Sequence, residues 1–301
     1  MTTVIVDNVS KQFGNTQAVA DVSFTVGPGQ VFGLLGPNGA GKTTTIRMML
    51  DIIRPDSGRI QLFGSPMTEE KKDRIGYLPE ERGLYADIKL MDVILYLASL
   101  KGMARRTASA AAENYLKQLD LWQHRDKKMN ALSRGMHQKA QFIVTILHDP
   151  DLIIVDEPFS GLDPVNTELI RTMLIGLRDR GKAIIMSTHQ MHQVEAMCDH
   201  MALIHRGRVV LDGPVNDVRR RFAGNTVEVS GEGAFDQLPQ VELAQHHNGL
   251  WRLILAGGVN PQLFLRELAR RDDLFIEHFS IALPSLNEIF IRVVGQDADQ
   301  P

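Results

Sequence analysis

The chain holds one cysteine, Cys198, in 301 residues. No intrachain disulfide can form, so the fold must be held by its core, as in a reducing compartment. A charge bias is missing as well. The formal net charge is −3, which excludes the global basic character of a nucleic-acid binder and leaves the scattered Lys and Arg as solvated surface. Long apolar runs are also absent. The best candidate, Leu90–Leu100, is too short to span a bilayer and contains Asp92. Met1–Ser10 has no cationic region followed by an apolar stretch, which predicts no secretory leader. Service to a membrane would therefore have to pass through a partner. What is present is an ordinary globular balance, 44% hydrophobic and 23% charged, at a length that fits one large domain or two smaller ones. No internal repeat is visible.

The most informative stretch is Gly36-Pro37-Asn38-Gly39-Ala40-Gly41-Lys42-Thr43-Thr44. It matches G-x-x-x-x-G-K-[ST], with Gly36, Gly41, Lys42 and Thr43 in the required places. Gln30–Leu35 before it predicts a short buried strand, and Thr44–Asp51 after it predicts the first turns of a helix. That context is required, because the loop works as a strand–loop–helix unit. Its glycines let successive N–H groups point inward at phosphate oxygens, and the helix N-terminus adds partial positive charge at the same place. Lys42 offers a mobile charge for β- and γ-phosphates and Thr43 a hydroxyl for Mg²⁺. The chemistry implied is nucleotide binding, with ATP and Mg²⁺ as ligands.

Around this unit, residues 3–9 and 18–26 alternate as two antiparallel strands, with Lys11–Asn15 as the turn between them. Arg54–Gly58 is a turn, and Arg59–Phe63 and Ile75–Leu78 are strands. From 89 to 148 the pattern is helical, with helices over Met91–Leu100, Thr107–Leu119 and Ser133–Leu147, an insertion between strands of the main sheet. Leu152–Val155 is a continuous apolar run, as expected of a central parallel strand buried on both faces. Helix Val165–Arg180, strand Ala183–Ser187, a helix through Val194 and Cys198, and a hairpin around Arg206-Gly207 follow. The charged run Arg219-Arg220-Arg221 and Gly224 mark a boundary between a first domain, 1–222, and a second, 225–294. The second reads as a small α+β domain, and 295–301 as a polar, frayed tail.

Asp156 and Glu157 end the apolar run. The strand-end position puts Asp156 at the carboxyl edge of the sheet, the edge from which the phosphate loop leaves, so that Asp156 can reach Mg²⁺ held by Thr43. Glu157, one residue on, is placed to polarise a water in line with the γ-phosphate. Leu132-Ser133-Arg134-Gly135-Met136 opens a helix, with Ser133 as its N-cap. Phe13 on its own reads as a strand-end hydrophobe.

With these motifs in this order, residues 3–222 resemble the ATP-binding cassette (ABC) proteins, the nucleotide-binding subunits of the ABC transporters. The resemblance implies an α/β phosphate-loop ATPase fold with a mixed core sheet, an antiparallel β subdomain and a helical subdomain over about 89–148. It identifies Leu132–Met136 with the family signature LSGGQ, matched at Ser133 and Gly135 and departing at Arg134 and Met136. In the family the signature contacts the γ-phosphate of ATP held by the other cassette of a dimer. Ser160-Gly161-Leu162-Asp163 matches the loop that crosses the dimer interface. His189 matches the switch histidine that contacts γ-phosphate and holds Glu157 and water in geometry, and Phe13 matches the adenine-stacking position. The family has a glutamine after the strand that is here Ile75–Leu78. This chain has Glu80 there, a carboxylate able to replace it as a metal ligand. The final segment, Leu283–Phe290, resembles an extension on cassettes of certain multidrug or sodium export systems.

The implied function is that of an ATPase subunit. Two such chains, or two unlike subunits, would close on two ATP molecules and drive a separate integral-membrane permease from the cytoplasmic face of the cell membrane, most consistently as an exporter. A cassette ATPase acting on ribosomes or DNA is the alternative. Such proteins usually carry two cassettes or a long coiled-coil insertion, whereas this chain has one set of motifs and no sustained heptads.

Overall fold

The computed structural model describes residues 2–81, 83 and 85–297. In chain order the strands and helices are β1 (Val4–Phe13), β2 (Thr16–Val26), β3 (Val31–Leu35), α1 (Lys42–Met49), β4 (Ser57–Leu62), α2 (Glu69–Lys72), β5 (Ile75–Leu78), α3 (Leu90–Leu100), α4 (Arg105–Gln118), α5 (Arg134–Ile146), β6 (Leu152–Asp156), α6 (Pro164–Asp179), β7 (Ala183–Thr188), α7 (Met191–Met197), β8 (His200–His205), β9 (Arg208–Pro214), α8 (Val215–Arg221), β10 (Thr226–Glu232), β11 (Val241–His247), β12 (Leu250–Leu255), α9 (Pro261–Leu268), β13 (Phe275–Ile281) and α10 (Leu286–Asp297). They fall into two compact units that divide between Val215 and Asn216.

The first unit is built on a six-stranded sheet in the order β5-β6-β7-β3-β8-β9. The first five strands run parallel, and β9 is antiparallel at one edge. Every residue of β3, β6 and β7 is buried, which is why these strands are apolar runs rather than alternations. A second sheet, β2-β1-β4, is antiparallel. Val4, Val6, Val22, Phe24 and Val26 join one hydrophobic core with Phe32 and Leu34 of β3, Ile46 and Met49 of α1, and Ile154 of β6. The rings of Phe24 and Phe32 stack with centroids 4.9 Å apart, tying the two sheets together.

Between β5 and β6 the chain forms the helical block α3, α4 and α5. Helix α4 buries Ala108, Ala112 and Leu116, one stripe at four-residue spacing. Asp163 caps α6, accepting from the Asn166 N–H at 2.9 Å, with Pro164 in the first turn.

Three expectations need correction. Lys11, Gln12 and Phe13 are strand, not turn: β1 continues through them and pairs Phe13 with Thr16, because Gly14 alone supplies a positive φ between strands. The run Arg219–Arg221 is the last turn of α8, whose Arg219 donates to the carbonyls of Leu283 and Pro284. Of the expected tail, residues 295–297 continue α10, while 298–301 lie outside the described residues.

The second unit is a four-stranded antiparallel sheet, β11-β12-β10-β13. Val227, Val229, Leu253 and Leu255 pack with Phe235, Phe264 and Leu268 as its core. Its β11–β12 hairpin turns at Asn248-Gly249, both with positive φ, the geometry that a tight hairpin between twisted strands requires.

Candidate active site

Strand β3 ends at Leu35, and residues 36–41 curl before α1 begins at Lys42. Two glycines fix that curl. Gly36 has φ 154°, and a Cβ there would lie 2.2 Å from the Ile204 carbonyl oxygen. Gly41, the N-cap of α1, has φ 108°, and its Cβ would lie 2.5 Å from the Ala18 carbonyl oxygen. Any side chain at either position forces the loop away from β8 or β2, so the narrow turn depends on glycine.

The cleft above the loop has a volume of about 190 Å³ and is lined by Ala18, Asn38, Gly39, Ala40, Gly41, Lys42, Thr43, Thr44, Glu80, Asp156 and Glu157. The Lys42 ammonium donates to the carbonyls of Gly36 at 2.7 Å and Pro37 at 3.1 Å. Burial pulls the Lys42 pKa below the ordinary lysine value, against the opposing charges of Glu157, Asp156 and Glu80. A buried cation facing three carboxylates at one cleft is an electrostatic arrangement suited to a polyanion bound with a cation.

Asp156 and Glu157 end β6 beside the loop, and both are buried, at 1% and 6% exposure. Asp156 accepts from Thr43 Oγ1 at 2.9 Å through one carboxylate oxygen and from the Ser187 hydroxyl through the other. Glu157 has φ 49°, which turns the chain out of the strand immediately after Asp156. Its Oε1 accepts from the backbone N–H of His189 at 2.9 Å and lies 2.6 Å from His189 Nδ1. Its Oε2 accepts from Thr188 Oγ1 at 3.1 Å. The parallel register sets this up: Asp156 stands opposite Ser187, and the next residues along β7 fall beside Glu157.

The cleft thus brings together the loop residues, Glu80, Asp156 and Glu157, with His189 joined through Glu157. Phe13, 48% exposed at the end of β1, does not line it among the described residues. Ser133 and Gly135 lie apart too, at the start of α5, where Ser133 Oγ accepts from the Met136 N–H at 3.3 Å. A Cβ on Gly135 would meet Leu162 Cδ2 and the Gly161 carbonyl, so the signature helix abuts the Ser160–Asp163 loop of its own chain. Sequence reasoning missed the hydroxyls of Ser187 and Thr188. Two hydroxyl residues closing an apolar strand were the available signal, since buried hydroxyls need partners.

A phosphate loop between a parallel strand and a helix, with two buried carboxylates at the end of β6, one strand removed from β3 across β7, defines a phosphate-loop nucleotide-binding protein. Comparison with known proteins narrows this. Residues 19–160 match the family model described as ABC transporter, and residues 213–294 match that of the DrrA1-3-like ATP-binding protein C-terminal domain. The uncharacterized ABC transporter ATP-binding protein YhaQ of Bacillus subtilis is 38% identical over 298 residues, covering 96% of this chain and 98% of that one. The Nod factor export ATP-binding protein I of Burkholderia lata is 31% identical over 295 residues, 96% of each chain. A solved ATP-binding subunit of an ABC transporter superposes with a TM-score of 0.70 at 30% identity, covering 73% of this chain and 93% of that one. The chain belongs to the ABC transporter ATP-binding proteins, a family of ATPases, and carries the DrrA-like C-terminal domain. No helix among the described residues is long and apolar enough to cross a membrane.

Proposed function

We propose that this chain is the ATP-hydrolysing subunit of an exporter, acting in a pair of cassettes on a separate integral-membrane permease. The observation that carries this reading is the convergence of Lys42, Thr43, Asp156 and Glu157 at one edge of a parallel sheet, with His189 hydrogen-bonded to Glu157. Free backbone N–H groups of the loop and of the first turn of α1, together with the Lys42 ammonium, hold the β- and γ-phosphates of ATP. Glu157 orients the attacking water and accepts its proton, while His189 fixes the carboxylate. Phe13 offers an exposed ring for the adenine, with the Lys11 ammonium 5.6 Å from its centroid.

The donor set fits Mg²⁺. Thr43 Oγ1 and Asp156 Oδ2 are 2.9 Å apart. Among the described residues no three of His, Cys, Asp and Glu converge as a metal cage, which suits an ion that keeps water and substrate oxygens in its shell. Thr43 and Asp156 would hold the ion, with Glu80 as a further ligand. Bound there, it would neutralise charge on the phosphates.

Ser133 and Gly135 stand outside the cleft of their own chain, as expected if they serve ATP on the other cassette of a dimer. Export is supported by the DrrA-like C-terminal match and by the similarity to Nod factor export subunits. On this reading the transport path lies in the permease and the chain works from the inner face of the membrane. Lys42→Ala should abolish ATP binding and hydrolysis. Affinity capture of the chain from detergent-solubilised membranes should recover a polytopic protein. Recovery of ribosomes or DNA instead, with no polytopic protein, would overturn the transporter reading.

A further inference from the structure

Glu157 is held by three donors, and they are not equivalent. Its Oε1 accepts two hydrogen bonds, from the N–H and from Nδ1 of His189. A carboxylate oxygen has two lone pairs, so Oε1 is fully engaged. Oε2 accepts one bond, from Thr188 Oγ1 at 3.1 Å, and retains a free lone pair. The Thr188 hydroxyl is itself directed, because it accepts the N–H of Gln190 at 3.1 Å and its one hydrogen is left for Glu157. Thr188 is 1% exposed, so no water competes for that hydrogen. Its place is fixed by the sheet: it pairs with Leu35 at the mouth of the phosphate loop, and its carbonyl accepts the Gly36 N–H at 3.4 Å.

We infer that Thr188 is a positioning residue for hydrolysis: its hydroxyl fixes the Glu157 carboxylate so that Oε2 is the oxygen presented to the attacking water. The inference rests on Glu157 being the residue that activates water. His189 alone holds the carboxylate through Oε1 and leaves it free to swing about that point. The second bond, through Oε2, removes the swing. Because Thr188 lies on β7 beside the loop, the carboxylate is held to the same framework that holds the phosphates. An attacking water must meet the γ-phosphorus within a narrow range of approach, so this rigidity affects the chemical step rather than nucleotide binding.

Thr188→Val keeps the shape and removes the hydroxyl, and Thr188→Ser restores it without the methyl. For Thr188→Val, kcat should fall about 10- to 100-fold, the worth of one hydrogen bond to a charged group, with ATP affinity unchanged. Thr188→Ser should recover most of the rate. With Mg·ATP, Thr188→Val should accumulate the nucleotide-held dimer in light scattering, while its melting curve without nucleotide shows one cooperative transition. In a Glu157→Gln background, Thr188→Val should cost nothing further, because the carboxylate it serves is gone. A Thr188→Val enzyme with wild-type kcat, or an equal loss with and without Glu157, overturns the inference, and so does a Thr188→Ser enzyme as slow as Thr188→Val. If Thr188→Val does not fold, Thr188→Ala is judged by the same readings. Failure of the underlying reading looks different: Glu157→Gln would then hydrolyse ATP at the wild-type rate.

Discussion

Glu157→Gln tests the proposed chemistry with little disturbance to the fold. The wild-type side chain accepts from the His189 N–H, His189 Nδ1 and Thr188 Oγ1 at 2.9, 2.6 and 3.1 Å. A glutamine can meet all three partners. Its carbonyl oxygen takes the two His189 donors, and its amide donates to the Thr188 hydroxyl, which accepts instead of donating. The Thr188 hydroxyl, which also accepts from the Gln190 N–H, is left with its hydrogen unpaired, so stability should fall by about 1–3 kcal/mol. The carboxylate that accepts the proton of water is lost, however. General base catalysis supplies about 10²- to 10⁴-fold, so the barrier should rise by about 2.7–5.5 kcal/mol. Lys42, Thr43 and the loop are untouched, so ATP affinity should hold. Phosphate release at saturating Mg·ATP, nucleotide affinity by fluorescence and sizing by light scattering give the three readings. The expected result is slow turnover, retained affinity and an accumulated ATP-bound dimer. Turnover within about threefold of wild type, with affinity retained, refutes Glu157 as the base.

Other outcomes are accessible to simple assays. Glu80→Gln should shift the Mg²⁺ titration of ATPase rate to higher concentration without abolishing hydrolysis, and Glu80→Ala should shift it further; two curves that overlay wild type reduce Glu80 to a loop residue. His148 is held below its ordinary pKa by burial and by Lys101, with Nε2 3.1 Å from the Ile75 carbonyl. The unfolded chain therefore binds the proton more readily, and stability should fall as pH drops from the ordinary histidine value toward the lower folded one. His148→Gln should flatten the thermal midpoint over that window, and a slope identical to wild type would exclude His148 as its source. A chain ending at residue 224 should bind ATP within about threefold of the full-length affinity, because all residues lining the cleft lie in the first unit; a folded truncation that cannot bind would show that the nucleotide site needs the C-terminal domain.

Much of the fold was legible because its signals are local. Leu152–Val155 reads as a strand buried on both faces, and the Asn248-Gly249 pair reads as the turn of a hairpin. The phosphate loop was legible because its glycines answer to a backbone shape, seen in the φ of Gly36 and Gly41 and in the carbonyls that crowd them. Where expectations slipped, the reasons differ. Phe13 joins β1 through a local pairing with Thr16 across the short Gly14-Asn15 turn, while Arg219 sits in a helix and its guanidinium donates to two carbonyls more than sixty residues away.

The sequence by itself determined the chemistry available to this protein: a lysine and a threonine after a glycine loop, an aspartate and a glutamate after an apolar strand, and a histidine after another. Those types and spacings are local, and spacing along a strand or loop sets which edge a side chain reaches. Tertiary structure alone decided how the carboxylates are held. The parallel register of β6 and β7 sets Ser187 across from Asp156 and carries Thr188 and His189 to Glu157. Register is fixed by the packing of both strands against the core, and 31 or 32 residues separate each of these pairs along the chain. No local pattern encodes a hydrogen bond across that distance, so the hydroxyl partners of the two carboxylates, Ser187 and Thr188, emerge only when the sheet has formed.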